Sequence, residues 1–305
     1  LSGPDGIRRE AVALFLATPA MFATNLLVAR GLEGAVPPVA LAFGRWTLTF
    51  LMLAPIGWLP LWRQRRQALA EWPVLLLLGL LGMGLCGAPI YAAGITTTAT
   101  NMGLIYSASP ILIVALGRLF WGDPAGPRQA AGIALCLAGV VLVIAKGDPA
   151  VLLGLQVTAG DLWVALATVS WAVYSLLIRH RPGRLDLRAR FAAITLAGVL
   201  VNLPAVIAES AVAGLPALDL RVVGIVVLLA LVPGLGAFLA YNRLVALIGP
   251  ASTGLIMYLV PLYNAGLAFL LLGERPQLYH LAGAALILPG IWAATRPAGR
   301  PRLED

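Results

Sequence analysis

Trp163, Ser170 and Tyr174 stand seven and four residues apart in one apolar run, a spacing that sets side chains on one face of a helix. A ring, a hydroxyl and a phenol on a common face could hold an amphiphilic solute, with a π-face for its apolar part and hydrogen bonds for its polar part. Asn25, Asn101, Asn242 and Asn264 place amides within or at the ends of other apolar runs, and Tyr91, Tyr241, Tyr258 and Tyr263 add apolar surface with a polar tip. An amide facing hydrocarbon costs free energy, so these groups are expected to face other helices or a cavity. As a set they are the candidate substrate contacts, although interfacial anchoring or ordinary packing explains any single one of them equally well.

Other chemistries find little here. The acids Glu10, Glu33, Glu71, Asp123, Asp148, Asp161, Glu209, Asp219 and Glu274 all fall at the ends of apolar runs or between them, so no carboxylate is expected near a membrane midplane to couple ions. Cys86 and Cys136 lack CxxC spacing or clustered histidines, which argues against a disulfide framework or a metal site. His180 and His280 have no neighbouring Cys or carboxylate arranged as a nucleophile or metal site, and no Walker, Rossmann or zinc motif occurs in context. A membrane-embedded enzyme would need a site assembled from distant residues. No cofactor is expected.

The elements that must position these residues are membrane helices. Hydrophobic residues make up 60% of the 305 and charged ones 11%, against about a quarter charged in soluble domains. Ten apolar segments read as helices at 10–29, 38–60, 72–92, 99–119, 128–145, 160–178, 190–209, 221–241, 251–272 and 278–295. The terminal stretches LSGPDG and PRLED are set aside. Lys and Arg favour cytoplasmic loops. With ten spans and an inner N-terminus, sixteen arginines fall inside, while Arg30, Lys146, Arg221 and Arg275 fall outside and Arg45 lies within a span. Both termini are therefore expected in the cytoplasm. The net charge of +8 is topological, suited to anionic lipid headgroups and not to nucleic acid.

The chain also repeats itself. GLIYSASP at 103–110 returns as GLIMYLVP at 254–261, and residues 103–139 align without a gap on 254–290, pairing Pro110 with Pro261, Gly122 with Gly273, and Asp123 with Glu274. LAT at 16–18 recurs at 166–168, and Tyr91 falls on Tyr241. The expected fold is an all-α integral membrane protein of two five-helix halves, 1–150 and 151–305. Five is odd, so the halves enter the membrane inverted, as in many secondary transporters. Pro110 and Pro261, each denied an amide hydrogen bond, are candidate hinges.

The run of proline, Gly-acid pair and spaced glycines, P-ILIVALGRLFW-GD-PAGPRQAA-G-IALCLA-G and its partner P-LYNAGLAFLLL-GE-RPQLYHLA-G-AALILP-G, resembles the EamA repeat of the drug/metabolite transporter superfamily. The resemblance covers nearly the whole chain, Arg45 included, and departs from the pattern at Asp123, where Glu is usual. Overall length and character are similar to YddG-type exporters of aromatic and other neutral amino acids. It implies export of such a solute across a bacterial inner membrane. The missing midplane carboxylate favours facilitated diffusion, with proton-coupled export of hydrophobic drugs or metabolites as the alternative. Arg45 is assigned to packing or to snorkelling toward the surface. Oligomeric state is left open and is compatible with a monomer.

Overall fold

In a bilayer the backbone must satisfy its own hydrogen bonds, which restricts spanning structure to helices or closed barrels. The computed structural model describes residues 4–30, 36–97, 99–214, 219–272 and 277–295, and no strand occurs among them. The main helices are α1 (Pro4–Arg30), α2 (Pro38–Arg63), α3 (Trp72–Thr96), α4 (Ala99–Tyr106, continued by Ser109–Trp121), α5 (Pro127–Ile144), α6 (Ala159–His180) and α7 (Leu187–Ala213). They continue as α8 (Leu220–Leu229, a π-helical turn at Ala230–Gly236, then Ala237–Gly254), α9 (Val260–Leu272) and α10 (Leu278–Thr295). The protein is an integral membrane protein. Among the described residues, eight helical stretches are long and apolar enough to cross a membrane. One of them, Leu220–Tyr258, is 39 residues long, more than a single crossing requires, and it bends at Gly249 (φ 79°, ψ 163°), where the expected eighth and ninth spans meet.

Three expected helices prove broken: α3 is interrupted by a turn at Leu85–Gly87, and two further breaks bear on the prolines. α4 is interrupted at Ser107–Ala108, and the expected ninth span is split by a 3₁₀ turn at Leu255–Tyr258, so that only Val260–Leu272 continues as α helix. Pro110 and Pro261 each follow such a break and stand second in the new segment, where the missing amide costs no helical hydrogen bond. The carbonyl of Tyr106, four residues before Pro110, accepts from the Ser109 hydroxyl at 2.6 Å. The expectation of prolines inside continuous helices is corrected accordingly: the chain bends ahead of them.

Helix ends are set by local chemistry. Asp186 caps α7 by accepting from the amides of Arg188 and Ala189, both at 2.9 Å, and the Ala189 amide in particular holds its carboxyl below the usual range. Gly122 closes α4 in the left-handed conformation (φ 67°), which lets Asp123 turn back to His180 Nε2 at 3.0 Å, with the His180 ring stacked on Trp121. Its counterpart Glu274 lies outside the described residues.

The repeat is visible in the elements themselves. α1 ends at Arg30 and α6 at His180, α2 at Arg63 and α7 at Ala213, each pair 150 residues apart, while the ends of α5 and α10 are offset by 151 residues. The two π-helical turns begin 150 residues apart, at Leu80–Gly84 in α3 and Ala230–Gly236 in α8. The two most extensive helix pairings join counterparts, α5 with α10 and α2 with α7. At the first, a Cβ on Gly132 would lie 2.5 Å from the Gly290 carbonyl, and one on Gly139 would lie 2.8 Å from the Gly283 carbonyl. Gly132 and Gly139 are the counterparts of Gly283 and Gly290, so the contacts are reciprocal and the helices antiparallel, as across a twofold axis. Cys136 Sγ reaches the carbonyl of its own counterpart, Ile287, at 3.4 Å. At the second pairing, Glu209 accepts from the amides of Val39 and Ala40 while Gly57 meets Ala192, again antiparallel.

Candidate functional site

A cavity of about 210 Å³ opens among eight helices. α1 contributes Phe22 and Asn25, α2 Arg45, α3 Cys86 and Ile90, and α4 the stretch Met102–Ser107 in part. α5, α6, α8 and α9 complete it, chiefly with Trp171, Phe238, Pro261 and Asn264. Three rings form one wall. Trp171 meets Phe22 and Phe238 edge to face, both at 5.5 Å between ring centres, and Trp46 braces Phe238 from behind at 4.8 Å.

Arg45 supplies the cavity's one charged side chain among its lining residues, and it is 97% buried. Its Nη1 donates to Asn25 Oδ1 at 3.2 Å and to the Tyr91 hydroxyl at 2.9 Å, and its Nη2 donates to the Pro233 carbonyl at 3.1 Å. Pro233 lies in the π-helical turn of α8. The guanidinium also sits 4.7 Å from the Trp46 ring centre. No carboxylate bonds to it among the described residues.

Of the residues singled out in the sequence, Asn25, Asn264 and Pro261 line the cavity, and Tyr91 touches it through Arg45 and through its own hydrogen bond to Asn25 at 3.1 Å. Tyr174, Tyr241, Asn242 and Ser170 are brought together in buried packing beside it. There Tyr174 donates to Asn242 Oδ1 at 2.9 Å, and the Tyr241 hydroxyl meets Ser175 at 2.7 Å. Tyr258 is fully buried and its hydroxyl has no partner among the described residues, while half-buried Tyr263 packs against the same cluster. The side chain of Asn101 lies outside the described residues. Trp163 is placed elsewhere: 47% exposed, it borders the outward stripe of Leu162, Leu166 and Val169 and is not among the residues lining the cavity. The face shared with Ser170 and Tyr174 is real in projection, but the first turns of α6 are covered on another side, where Gly160 meets Ala93 and Thr96 and where Val164 is buried, which leaves Trp163 outside.

Sequence reasoning passed over Phe22, Trp171 and Phe238, which look like ordinary core residues. A signal was available in Arg45, a cation inside a span, because such a group must be neutralised or used.

The half-to-half comparison extends into the site. Tyr91 with Asn25 and Tyr241 with Ser175 are counterpart pairs, and both are hydrogen bonded. The surroundings differ. A Cβ on Gly254 would lie 3.7 Å from Pro110 Cα, so that pair is packed, whereas the counterparts Gly103 and Pro261 both line the cavity. Replacing Pro110 or Pro261 by Ala is expected to slow interchange of the two ends several-fold while leaving ligand affinity within about twofold, because the helical breaks lose their stop signal. Single-molecule distances across α4 and α9, with equilibrium binding alongside, would show this; unchanged interchange would make both prolines packing features.

Comparison with known proteins yields one family. Residues 9–145 and 158–296 each match the EamA-like transporter family. An uncharacterized transporter of Archaeoglobus fulgidus is 28% identical over 262 residues, covering 85% of this chain and 88% of that one. A probable terminal-alkyne amino-acid exporter of Streptantibioticus cattleyicolor is 27% identical over 276 residues, 87% and 86% of the two chains. A crystal structure 23% identical in sequence superposes with a TM-score of 0.74 over 93% of this chain and 96% of its own, which shows a shared fold.

Proposed function

Because the chain belongs to the EamA-like transporter family, with a copy of its domain in each half, we propose that it carries small neutral metabolites, above all aromatic and other neutral amino acids, out of the cell by alternating access. The observation that carries this reading is the cavity: four aromatic rings, those of Phe22, Tyr106, Trp171 and Phe238, flanking amides and a single cation, with no carboxylate among its lining residues. Such a lining suits an apolar side chain and a small polar head. The name of the Streptantibioticus cattleyicolor relative, an amino-acid exporter, points to the same chemical class.

Ten spans in two inverted halves, divided near residue 150, fit the reciprocal antiparallel contacts of α5 with α10 and of α2 with α7. A twofold axis across antiparallel membrane helices lies in the membrane plane, and exchange of the halves then converts one opening into the other. The arginine distribution orients both termini toward the cytoplasm, in the inner membrane of a bacterium. In that frame the cavity is built from the outer parts of α1, α2, α3, α4 and α5, with the start of α9 beneath them, while Pro110 and Gly254 close the inner side, so this conformation faces outward.

Facilitated diffusion follows from the absence of an acid in the cavity wall. Purified protein in liposomes at equal pH on both sides should take up tryptophan and phenylalanine until their own gradients vanish, recover them unchanged, and show several-fold less uptake of a sugar phosphate, which would call for more cations. Threonine and a cationic dye complete the series. Strict dependence on a proton gradient, with the dye preferred, would replace this reading by proton-coupled export of hydrophobic compounds.

A further inference from the structure

We propose that Arg45 and Asn264 are the two poles of an α-amino-acid site: the Arg45 guanidinium binds the substrate carboxylate, the Asn264 Oδ1 accepts from its ammonium, and the side chain lies against Phe22, Trp171 and Phe238. The assignment rests on the amino-acid reading above and specifies how that class is recognised.

Donor and acceptor accounting leads to it. A guanidinium has five N–H donors, and Arg45 uses three, on Asn25, Tyr91 and the Pro233 carbonyl. Its Nε is buried with no acceptor among the described residues, and all three acceptors in use are neutral. The Glu209 carboxylate, on α7, meets the start of Arg45's helix but is spent on the amides of Val39 and Ala40. A buried cation held only by neutral groups remains costly, and an arriving carboxylate would relieve that cost with a bidentate, charge-assisted pair. Asn264 presents the opposite lack. Its Oδ1 is buried, borders the same cavity and has no donor among the described residues. An unmet cationic donor and an unmet acceptor in one aromatic-walled cavity are complementary to a zwitterion.

The repeat itself separates this role from a structural one. The Tyr91–Asn25 pair that Arg45 engages recurs as Tyr241–Ser175, which is hydrogen bonded with no arginine present. At the 150-residue offset that relates the helix ends, the counterpart of Arg45 is Thr195, whose hydroxyl merely bonds back to the Phe191 carbonyl. The tyrosine pair therefore does not require a cation, and the one present is free for a ligand.

The test compares phenylalanine with phenethylamine, which lacks the carboxylate, phenylalanine methyl ester, which masks it, and 3-phenylpropionate, which lacks the ammonium. Each competes with labelled phenylalanine for wild-type protein in liposomes, and all three should compete roughly tenfold more weakly, the scale set by losing a charge-assisted hydrogen bond in a dry site. Arg45→Gln should weaken phenylalanine binding by a similar factor while leaving phenethylamine unchanged, and Asn264→Leu should abolish the preference for phenylalanine over 3-phenylpropionate. Equal competition by phenethylamine and phenylalanine overturns the assignment of Arg45 and leaves amino-acid transport standing. Full phenylalanine affinity in a folded Arg45→Gln protein does the same. Absence of any amino-acid uptake by wild type instead removes the reading on which the site rests. Should Arg45→Gln fail to fold, the wild-type analogue series decides alone.

Discussion

Gly132→Leu is expected to yield no monodisperse protein after detergent extraction. A Cβ at this position would stand 2.5 Å from the Gly290 carbonyl and 2.6 Å from the Ala294 amide nitrogen, and both obstacles are backbone, which cannot swing aside. Inside a membrane, helices associate through close packing and not through exclusion of water, so small residues decide how near two backbones come. Overpacking a tight site costs about 1–3 kcal/mol when side chains can yield, and more where they cannot. The α5–α10 contact is the most extensive helix pairing in the fold, so the whole fold bears the loss. Gly94→Leu serves as the control, since nothing stands within 4 Å of a Cβ there. Thermal unfolding in detergent reads both. A Gly132→Leu protein melting with the wild type would mean that the halves are held elsewhere.

Trp171→Leu should cut transport of tryptophan and phenylalanine about tenfold and leave threonine within roughly twofold. An aromatic pair is worth about 0.5–1.5 kcal/mol beyond its buried area, and a stacked substrate would lose a contribution of that size, which near the upper end is a factor of ten. Leucine keeps part of the volume, so Phe22 and Phe238 retain a neighbour. Trp163→Ala is the companion control: half exposed and away from the cavity, it should change neither substrate. Equal losses for threonine and tryptophan would make Trp171 a packing residue and remove the aromatic preference.

Much of the architecture was readable before any coordinates. The 151-residue echo of GLIYSASP and the 150-residue spacing of Tyr91 and Tyr241 recur as shared helix ends and reciprocal contacts, because a duplicated apolar pattern must bury itself twice in the same way. The site was less legible. Projection at 100° per residue put Trp163 beside Tyr174, but a face becomes a wall only where another helix covers it, and that is a tertiary fact. The same projection assumes unbroken helices, whereas α4 stops at Ser107–Ala108 and α9 follows a 3₁₀ turn. Arg45, a lone cation within a span, reads from the sequence as packing or snorkelling; its burial and its neutral partners are visible only with α1, α3 and α8 in place. Phe22, Trp171 and Phe238 carry no polar atom pattern to set them apart from a core.

The paired π-helical turns set the angular phase of everything beyond them. The amide of Leu85 bonds to the Leu80 carbonyl at 2.7 Å, five residues back, so α3 carries one residue more in this turn than an α-helix would. Deleting one residue between Leu80 and Gly84 would restore the ordinary winding there and re-aim the turn at Leu85–Gly87, and with it Ala88–Thr96, by about 100°. Tyr91 would then swing away from Arg45 and Asn25, and Ile90 would leave the cavity. The same deletion between Ala230 and Gly236 would carry Tyr241 off Ser175 and Asn242 off Tyr174. A one-residue gap that a loop would absorb as a change of length acts here as a twist, dismantling one tyrosine pair and leaving its counterpart intact.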